Sequence, residues 1–162
     1  MAENNRAVIK LREKFASLIL DAKEFRGQVT VTVPRENIVE ICTFLRDSLQ
    51  YNLLTDVLAV DYLGKQEPRF MAVYNLYSIP KKDRFFVRAA VPEADCTIDT
   101  VSGLWKSAIF LEREVYDLMG LVFNNHPDLR RILMTDDWVG HPLRKDYPVQ
   151  GPDREPYQGR VS

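Results

Sequence analysis

Glu112, Arg113, Glu114 and Asp117 crowd one short stretch, and the chain's two histidines, His126 and His141, follow it. These side chains are the ones best able to move a proton, hold a metal or pair with a partner's charge. A hydrolase would need two carboxyl groups held across one substrate, and Asp136 or Asp137 would have to join Glu112. A metal site would combine a histidine with Asp128, Asp136 or Asp137. The spacing favours neither. Each histidine precedes a proline, which disfavours helix at that position, so neither has a second ligand one helical turn away. A plainer reading fits better, in which both histidines hydrogen-bond nearby backbone.

Other catalytic patterns are missing. The seven glycines are scattered, and neither a nucleophile elbow nor a phosphate-binding glycine loop occurs. Of the two cysteines, Cys42 sits in an apolar helical pattern and reads as a small core residue, whereas Cys96 lies in a polar segment and reads as exposed. Two thiols make no disulfide framework and cannot supply the four ligands of a thiolate-bound iron–sulfur cluster.

The charged quartet must be positioned by a helix expected over 101–119, with Gly120 as its carboxy-terminal cap. Leu104, Ala108, Leu111, Val115 and Leu118 form one core-facing row of that helix. Trp105, Ile109, Glu112, Tyr116 and Met119 form an adjacent row, apolar except for the acid, and Phe110 lies on another side. A helix apolar over so much of its girdle is covered on more than one side. Glu112 in such a row requires a cation or backbone donors, because an unpaired buried carboxylate is costly. Arg113 and Asp117 are four residues apart and placed to pair along the helix, for about 0.3–0.5 kcal/mol.

Upstream, Val8, Leu11, Phe15, Leu18 and Ile19 recur at helical spacing over 6–20. QVTVTV alternates as a half-buried strand ending at Pro34, and Ile38, Ile41, Cys42, Leu45 and Leu49 stripe a second helix. LLTDVLAVDYL, RFMAVYNLYSI and RFFVRAAVP read as three strands joined by short turns, which implies antiparallel hairpins. PEADCTIDT reads as a polar connector. The expected architecture is an α+β two-layer sandwich over 1–120, with a mostly antiparallel sheet covered by helices.

Residues 121–162 differ. They hold five of the nine prolines and the large anchors Phe123, Trp138 and Tyr147, with no periodic pattern around them. GHPLRKDYP, residues 140–148, packs two prolines, a histidine, charges of both signs and a tyrosine into one irregular run. So many apolar anchors argue against disorder, so this segment is expected to be an extended docking strap. DLRRIL and LRKDYP set bases beside an acid and an apolar anchor, as interface anchors do.

Composition narrows the partners. At 162 residues and 46 % apolar content the chain can build one domain with a real core. A net charge of −1 gives no attraction to nucleic acid or to an anionic membrane. No apolar run approaches the ~20 residues of a membrane span, and MAENNRAVIKLREKF lacks a signal core. The expectation is a soluble, cytoplasmic chain that meets a membrane only through a partner.

The run LEREVYDLMGLVFNNHPDLRRILMTDDWVGHPLRKDYP, residues 111–148, resembles the signature of a known family. This is the thirty-kilodalton subunit family of respiratory complex I, known in bacterial NADH–quinone oxidoreductases as the C-type subunits. Glu112, Arg113, Glu114 and Asp117 match its charged helix, and Gly120 and His126 follow at its spacing. Arg130, Ile132 and Leu133 match a basic-apolar element. Asp137, Trp138, Gly140, Pro142, Leu143, Arg144, Lys145, Asp146, Tyr147 and Pro148 match its closing motif. Residues 1–100 resemble the family only in element order and length.

The resemblance implies an α+β domain with helices on a mixed sheet, which leaves room for one parallel strand pair. It implies a non-catalytic structural subunit in the peripheral arm of a proton-translocating NADH:quinone oxidoreductase, at the cytoplasmic face of the bacterial inner membrane. The flavin mononucleotide, iron–sulfur clusters, NADH and quinone would be held by other subunits. The strap would dock on the forty-nine-kilodalton, D-type subunit, to which this chain would be unfused. Its interface would use Glu112, Arg113, Glu114, Asp117, His126, Arg130, Arg131, Asp137, Trp138, His141, Arg144, Lys145, Asp146 and Tyr147. Related nickel–iron hydrogenases and F420-linked or ferredoxin-linked complexes use similar subunits and form the alternative.

Overall fold

The computed structural model describes residues 5–150. The far end of the expected strap, with Pro152 and Pro156, lies outside the described residues, as do residues 1–4. Helix α1 spans Arg6–Phe15 and continues as a 3-10 turn over Ala16–Leu18. Asn5 caps it, its side-chain oxygen accepting from the Ala7 and Val8 amides. Ala7, Val8, Leu11 and Phe15 are its buried face. The helix stops short of the expected residue 20 because a strand begins at Asp21.

That strand, β1 (Asp21–Phe25), has no counterpart in the sequence reading. It pairs antiparallel with β2 (Gln28–Val33), and the turn between them is Arg26–Gly27, both with positive φ. Two central residues of positive φ suit the right-handed twist of a tight hairpin. A 3-10 turn, Arg35–Asn37, leads into α2 (Ile38–Asp47), which buries Ile38, Ile41, Cys42 and Leu45.

Strands β3 (Leu53–Asp61), β4 (Phe70–Ser78) and β5 (Asp83–Val91) form the expected antiparallel hairpins. β5 returns beside β2 and runs parallel to it, giving the order β1-β2-β5-β4-β3. The sheet is mixed for that reason. Register aligns one apolar face: Val31 with Val87, Val87 with Tyr74, and Tyr74 with Val57. These residues join the inner faces of α1 and α2 in one core. The opposite face carries Thr30, Phe86, Asn75 and Arg88, all half-buried.

The polar connector contains a short strand, β6 (Thr97–Asp99), and Ile98 within it is buried. Helix α3 covers Ala108–Met119 rather than starting at 101. Residues 101–107 form tight turns, with the Leu104 amide bonded to the Val101 carbonyl at 2.8 Å. Ser107 does not cap α3; its hydroxyl donates to the Leu54 carbonyl at 3.1 Å and ties the helix start to the sheet. Gly120 ends α3 in the left-handed conformation, as expected. The chain then enters β7 (Val122–Asn124), which pairs parallel with β6. Residues 125–150 hold no regular element and run as a succession of turns against α3.

Candidate functional site

Helix α3 is where the charged quartet and the irregular strap meet. Asp117 is fully buried. Its Oδ2 accepts the backbone N–H groups of Ile132, Leu133 and Met134 at 3.0, 2.7 and 2.8 Å, and its Oδ1 accepts from Arg131 at 2.7 Å. Burial alone would raise this carboxyl. The three amides and the guanidinium outweigh it and hold the group down at about 2. Arg131 also donates to the Trp138 and Gly140 carbonyls at 3.0 and 3.1 Å. Arg113, one turn before Asp117, donates to the Arg130 and Arg131 carbonyls. The two side chains expected to pair with each other instead grip the same stretch of strap.

The end of α3 makes a second attachment. Arg144 donates to the Met119 carbonyl at 2.7 Å, satisfying a helix-terminal acceptor. His141 Nδ1 lies 2.9 Å from the Asp117 carbonyl and serves as donor there. Both pack onto Gly120, where an added Cβ would lie 2.5 Å from each. Only glycine fits that position, by its positive φ of 75° and by contact. Gly140 is held in the same way, with the Tyr147 ring 2.9 Å from where a Cβ would sit.

A third attachment was not foreseen. Arg69 is 2 % exposed, with Asp61, Glu93 and Asp146 around it. It grips Asp61 through two nitrogens, at 2.9 and 2.7 Å, and Asp146 likewise, at 3.0 and 2.9 Å. Glu93 accepts at 2.6 Å, and the Lys145 amide donates to Asp61 at 2.8 Å. The Arg69 guanidinium holds both Asp61 and Asp146 below the usual carboxylate range. Arg69 and Arg144 both stack near the Phe70 ring, 4.7 and 5.1 Å from its centre. The hub fastens Lys145 and Asp146 to the β3–β4 hairpin. The sequence reading expects Lys145 and Asp146 at a partner interface and makes no use of Asp61 or Arg69.

Glu112 is fully buried and finds its donors in the Thr100 hydroxyl and the Val101 amide, the latter at 2.8 Å. Burial pushes it up to about 7 despite those donors. His126 Nε2 lies 3.8 Å from its Oε2, and neither side chain is exposed. The Asp128 amide donates to His126 Nδ1, so Nε2 carries the proton and donates to the Ile109 carbonyl at 3.1 Å. The structure thus brings the acid and one histidine together, with both side chains buried. Asp136 and Asp137 stay exposed on the strap. Among the described residues no group of three or more His, Cys, Asp and Glu is placed to hold a metal ion.

The expected interface residues therefore divide. Glu112, Arg113 and Asp117 are buried and bonded within this chain. Arg131, His141 and Arg144 are half-buried and likewise turned toward α3, and His126 toward Ile109. Glu114, Arg130, Asp137, Lys145 and Asp146 are exposed, and Trp138 and Tyr147 are half-exposed. Trp138, Pro142, Tyr147, Pro148, Val149 and Gln150 line an open cleft of about 370 Å³. Around it the strap shows apolar side chains to solvent: Leu133 57 %, Val139 66 % and Leu143 57 % exposed.

The family model described as "Respiratory-chain NADH dehydrogenase, 30 Kd subunit" matches residues 31–153. The chain is 79 % identical to the C-type NADH-quinone oxidoreductase subunit of Geobacter sulfurreducens over the full length of both. It is 50 % identical to NADH-quinone oxidoreductase subunit 5 of Thermus thermophilus, over 76 % of this chain and 63 % of that one. Among solved structures, a trypsin-resistant fragment of Nqo5 superposes with a TM-score of 0.69 at 40 % identity, covering 77 % of this chain and all of the fragment. A chain of a membrane-bound sulfane sulfur reductase, an archaeal respiratory membrane complex, superposes with a TM-score of 0.77 at 24 % identity, over 88 % of this chain and 84 % of that one. That last likeness is one of fold alone.

Proposed function

The chain belongs to the family of the 30 kDa subunit of respiratory-chain NADH dehydrogenase, and from that premise we propose that it is a non-catalytic scaffold of the complex whose strap docks on the forty-nine-kilodalton subunit. One observation carries this reading. Arg131, His141, Arg144 and Asp146 of the strap, with its amides at 132–134, are spent on its own chain, at Asp117, Met119 and Arg69, while Leu133, Val139 and Leu143 face outward. A segment so fastened on one face and so apolar on the other is a preorganised surface that loses little entropy on docking. Trp138 and Tyr147 supply rigid aromatic edges, and Glu114, Arg130, Asp137 and Lys145 supply charges that set register.

In this reading the flavin, the iron–sulfur clusters and the sites for NADH and quinone lie on other subunits. The buried Glu112–His126 pair supports a structural role for those residues. The chain sits in the peripheral arm at the cytoplasmic face; among the described residues, no helix is long and apolar enough to cross a membrane. The relatives named above at 79 % and 50 % identity are NADH-quinone oxidoreductase subunits, which disfavours assignment to a hydrogenase-type complex.

The test is co-purification from gently solubilised membranes with a tag at the amino terminus. The wild-type chain is expected to bring down the forty-nine-kilodalton subunit with the NADH-binding and iron–sulfur subunits. Leu133→Asp with Val139→Asp should cut recovery of the forty-nine-kilodalton subunit at least tenfold while leaving the thermal midpoint of the free chain within a few degrees. Equal recovery by the double variant, or a complex lacking the forty-nine-kilodalton subunit, would overturn the docking assignment.

A further inference from the structure

A cleft of about 320 Å³ opens between the start of α1, the turn after α2 and the β4–β5 turn. None of the residues lining it belongs to the strap. Its walls carry Arg6, Lys10 and Lys81 against one carboxylate, Asp83. That carboxylate is engaged, because the Tyr51 hydroxyl donates to it at 2.6 Å. Arg6 and Lys10 are one helical turn apart with the same sign, an arrangement that opposes helix formation. The first turn of α1 holds no acid, so Arg6 also stands against the positive end of the helix. Neither Arg6 nor Lys10 has an ion-pair partner among the described residues. Lys81 lies 5.6 Å over the Tyr51 ring and donates to the Leu49 carbonyl. Its ammonium is depressed by burial and then by Arg6 and Lys10, more than Asp83 restores it.

Among the described residues, three cations therefore converge on one concave site against a single occupied acid, an excess of two positive charges there. Such repulsion is relieved by a bound anion. A dianion with acceptor oxygens on several sides matches the excess, and lysines serve phosphate as point charges around a tetrahedral group. The volume is at the small end for an organic ligand and exceeds what one phosphate fills. We propose that the Arg6–Lys10–Lys81 cleft binds a phosphate monoester, either a soluble small molecule or a lipid headgroup. The site is separate from the docking strap and does not rest on that assignment.

The experiment uses the full chain at fixed ionic strength in chloride. Inorganic phosphate is titrated by calorimetry, with acetate as the monoanion control, and vesicles of phosphatidylcholine with and without phosphatidic acid are tested by co-sedimentation. The expected result is saturable binding of phosphate, of the phosphatidic acid vesicles, or of both. It should weaken at least tenfold in Arg6→Gln/Lys10→Gln, several-fold in Lys10→Gln alone, and not at all in Lys23→Gln, an exposed base on β1. Phosphate binding without sedimentation identifies a soluble ester, and sedimentation dependent on phosphatidic acid identifies a headgroup. The proposal is overturned if neither probe binds, if acetate competes equally, or if the double variant binds as the wild type does.

Discussion

Glu112 shows how one buried carboxyl shapes the response to pH. Its ordinary value of 4.5 rises to about 7 in the folded chain because burial disfavours the charged form. Between those values the folded chain holds a proton that the unfolded chain has released. Its contribution is therefore fully present below pH 4.5 and is lost as pH climbs through 7, a change of roughly 3 kcal/mol. His126 and His141, both depressed by burial, act in the opposite sense, so the informative quantity is the difference from a variant. Glu112→Gln keeps an acceptor for the Val101 amide and cannot ionise. Urea titrations at pH 5 and pH 8 should show the variant gaining stability relative to wild type by roughly 2–3 kcal/mol across that interval. An identical pH dependence in both proteins would mean that Glu112 does not titrate in this window.

At the scale of elements, α3 and the strap form one unit. Asp117 gathers three consecutive amides and a guanidinium, so the turn at 131–134 exists because the carboxylate does. Asp117→Asn removes the charge that those donors face and leaves some of them unsatisfied, a loss of about 2–3 kcal/mol. The opening should be local, with trypsin cutting after Arg130 and Arg131 at least tenfold faster while the sheet stays folded by circular dichroism. Unchanged cleavage would show that Arg113 alone holds the turn. Much of this unit was legible in the sequence. An acid inside an apolar row and a helix apolar on two sides both required cover, and the strap supplies part of it. The partners were not legible, because backbone amides leave no mark on composition. The strands divide in the same way. β2 announces itself by alternation, since one face of it is buried. β1 does not, because an edge strand with little burial needs no apolar residues. β6 and β7 are three residues each, and their pairing depends on partners far apart in the chain.

For the molecule as a whole, Arg69 is the joint between sheet and strap. It pairs with Asp61 inside and with Asp146 outside, and Glu93 completes the ring. The sequence reading places Arg69 only at the start of a strand and Asp146 at a partner interface, and it does not join them, because their contact spans 77 positions of the chain. Arg69→Met strands a buried carboxylate at Asp61 and should cost about 3–5 kcal/mol. Arg69→Met with Asp61→Leu should recover a large part of that loss, yet the strap stays unlatched because Asp146 and the Lys145 amide have lost their partners. Hydrogen exchange at residues 143–147 separates the two effects. Fast exchange in the double variant is expected; wild-type protection there would show that Arg144 suffices to hold the strap. Asp61 and Asp146, both depressed, add stability above the ordinary carboxylate range, and it is lost as pH falls below about 4.

The strand order β1-β2-β5-β4-β3 also sets a timetable. The strand at the centre of the sheet is the last of the five to be synthesised. The amino-terminal hairpin β1–β2 is complete once Val33 has emerged, but the inner edge of β2 has no partner until Phe85–Ala89 arrives. Until then two half-sheets exist, each with an open edge, and the closing step joins residues more than fifty positions apart. Such non-local closure is slow and leaves edges exposed to wrong partners. During synthesis, the vulnerable interval of this chain is therefore the one before β5 leaves the ribosome. Its remedy is the inward-facing Phe85, Val87 and Ala89, which bring both halves onto one core in a single event.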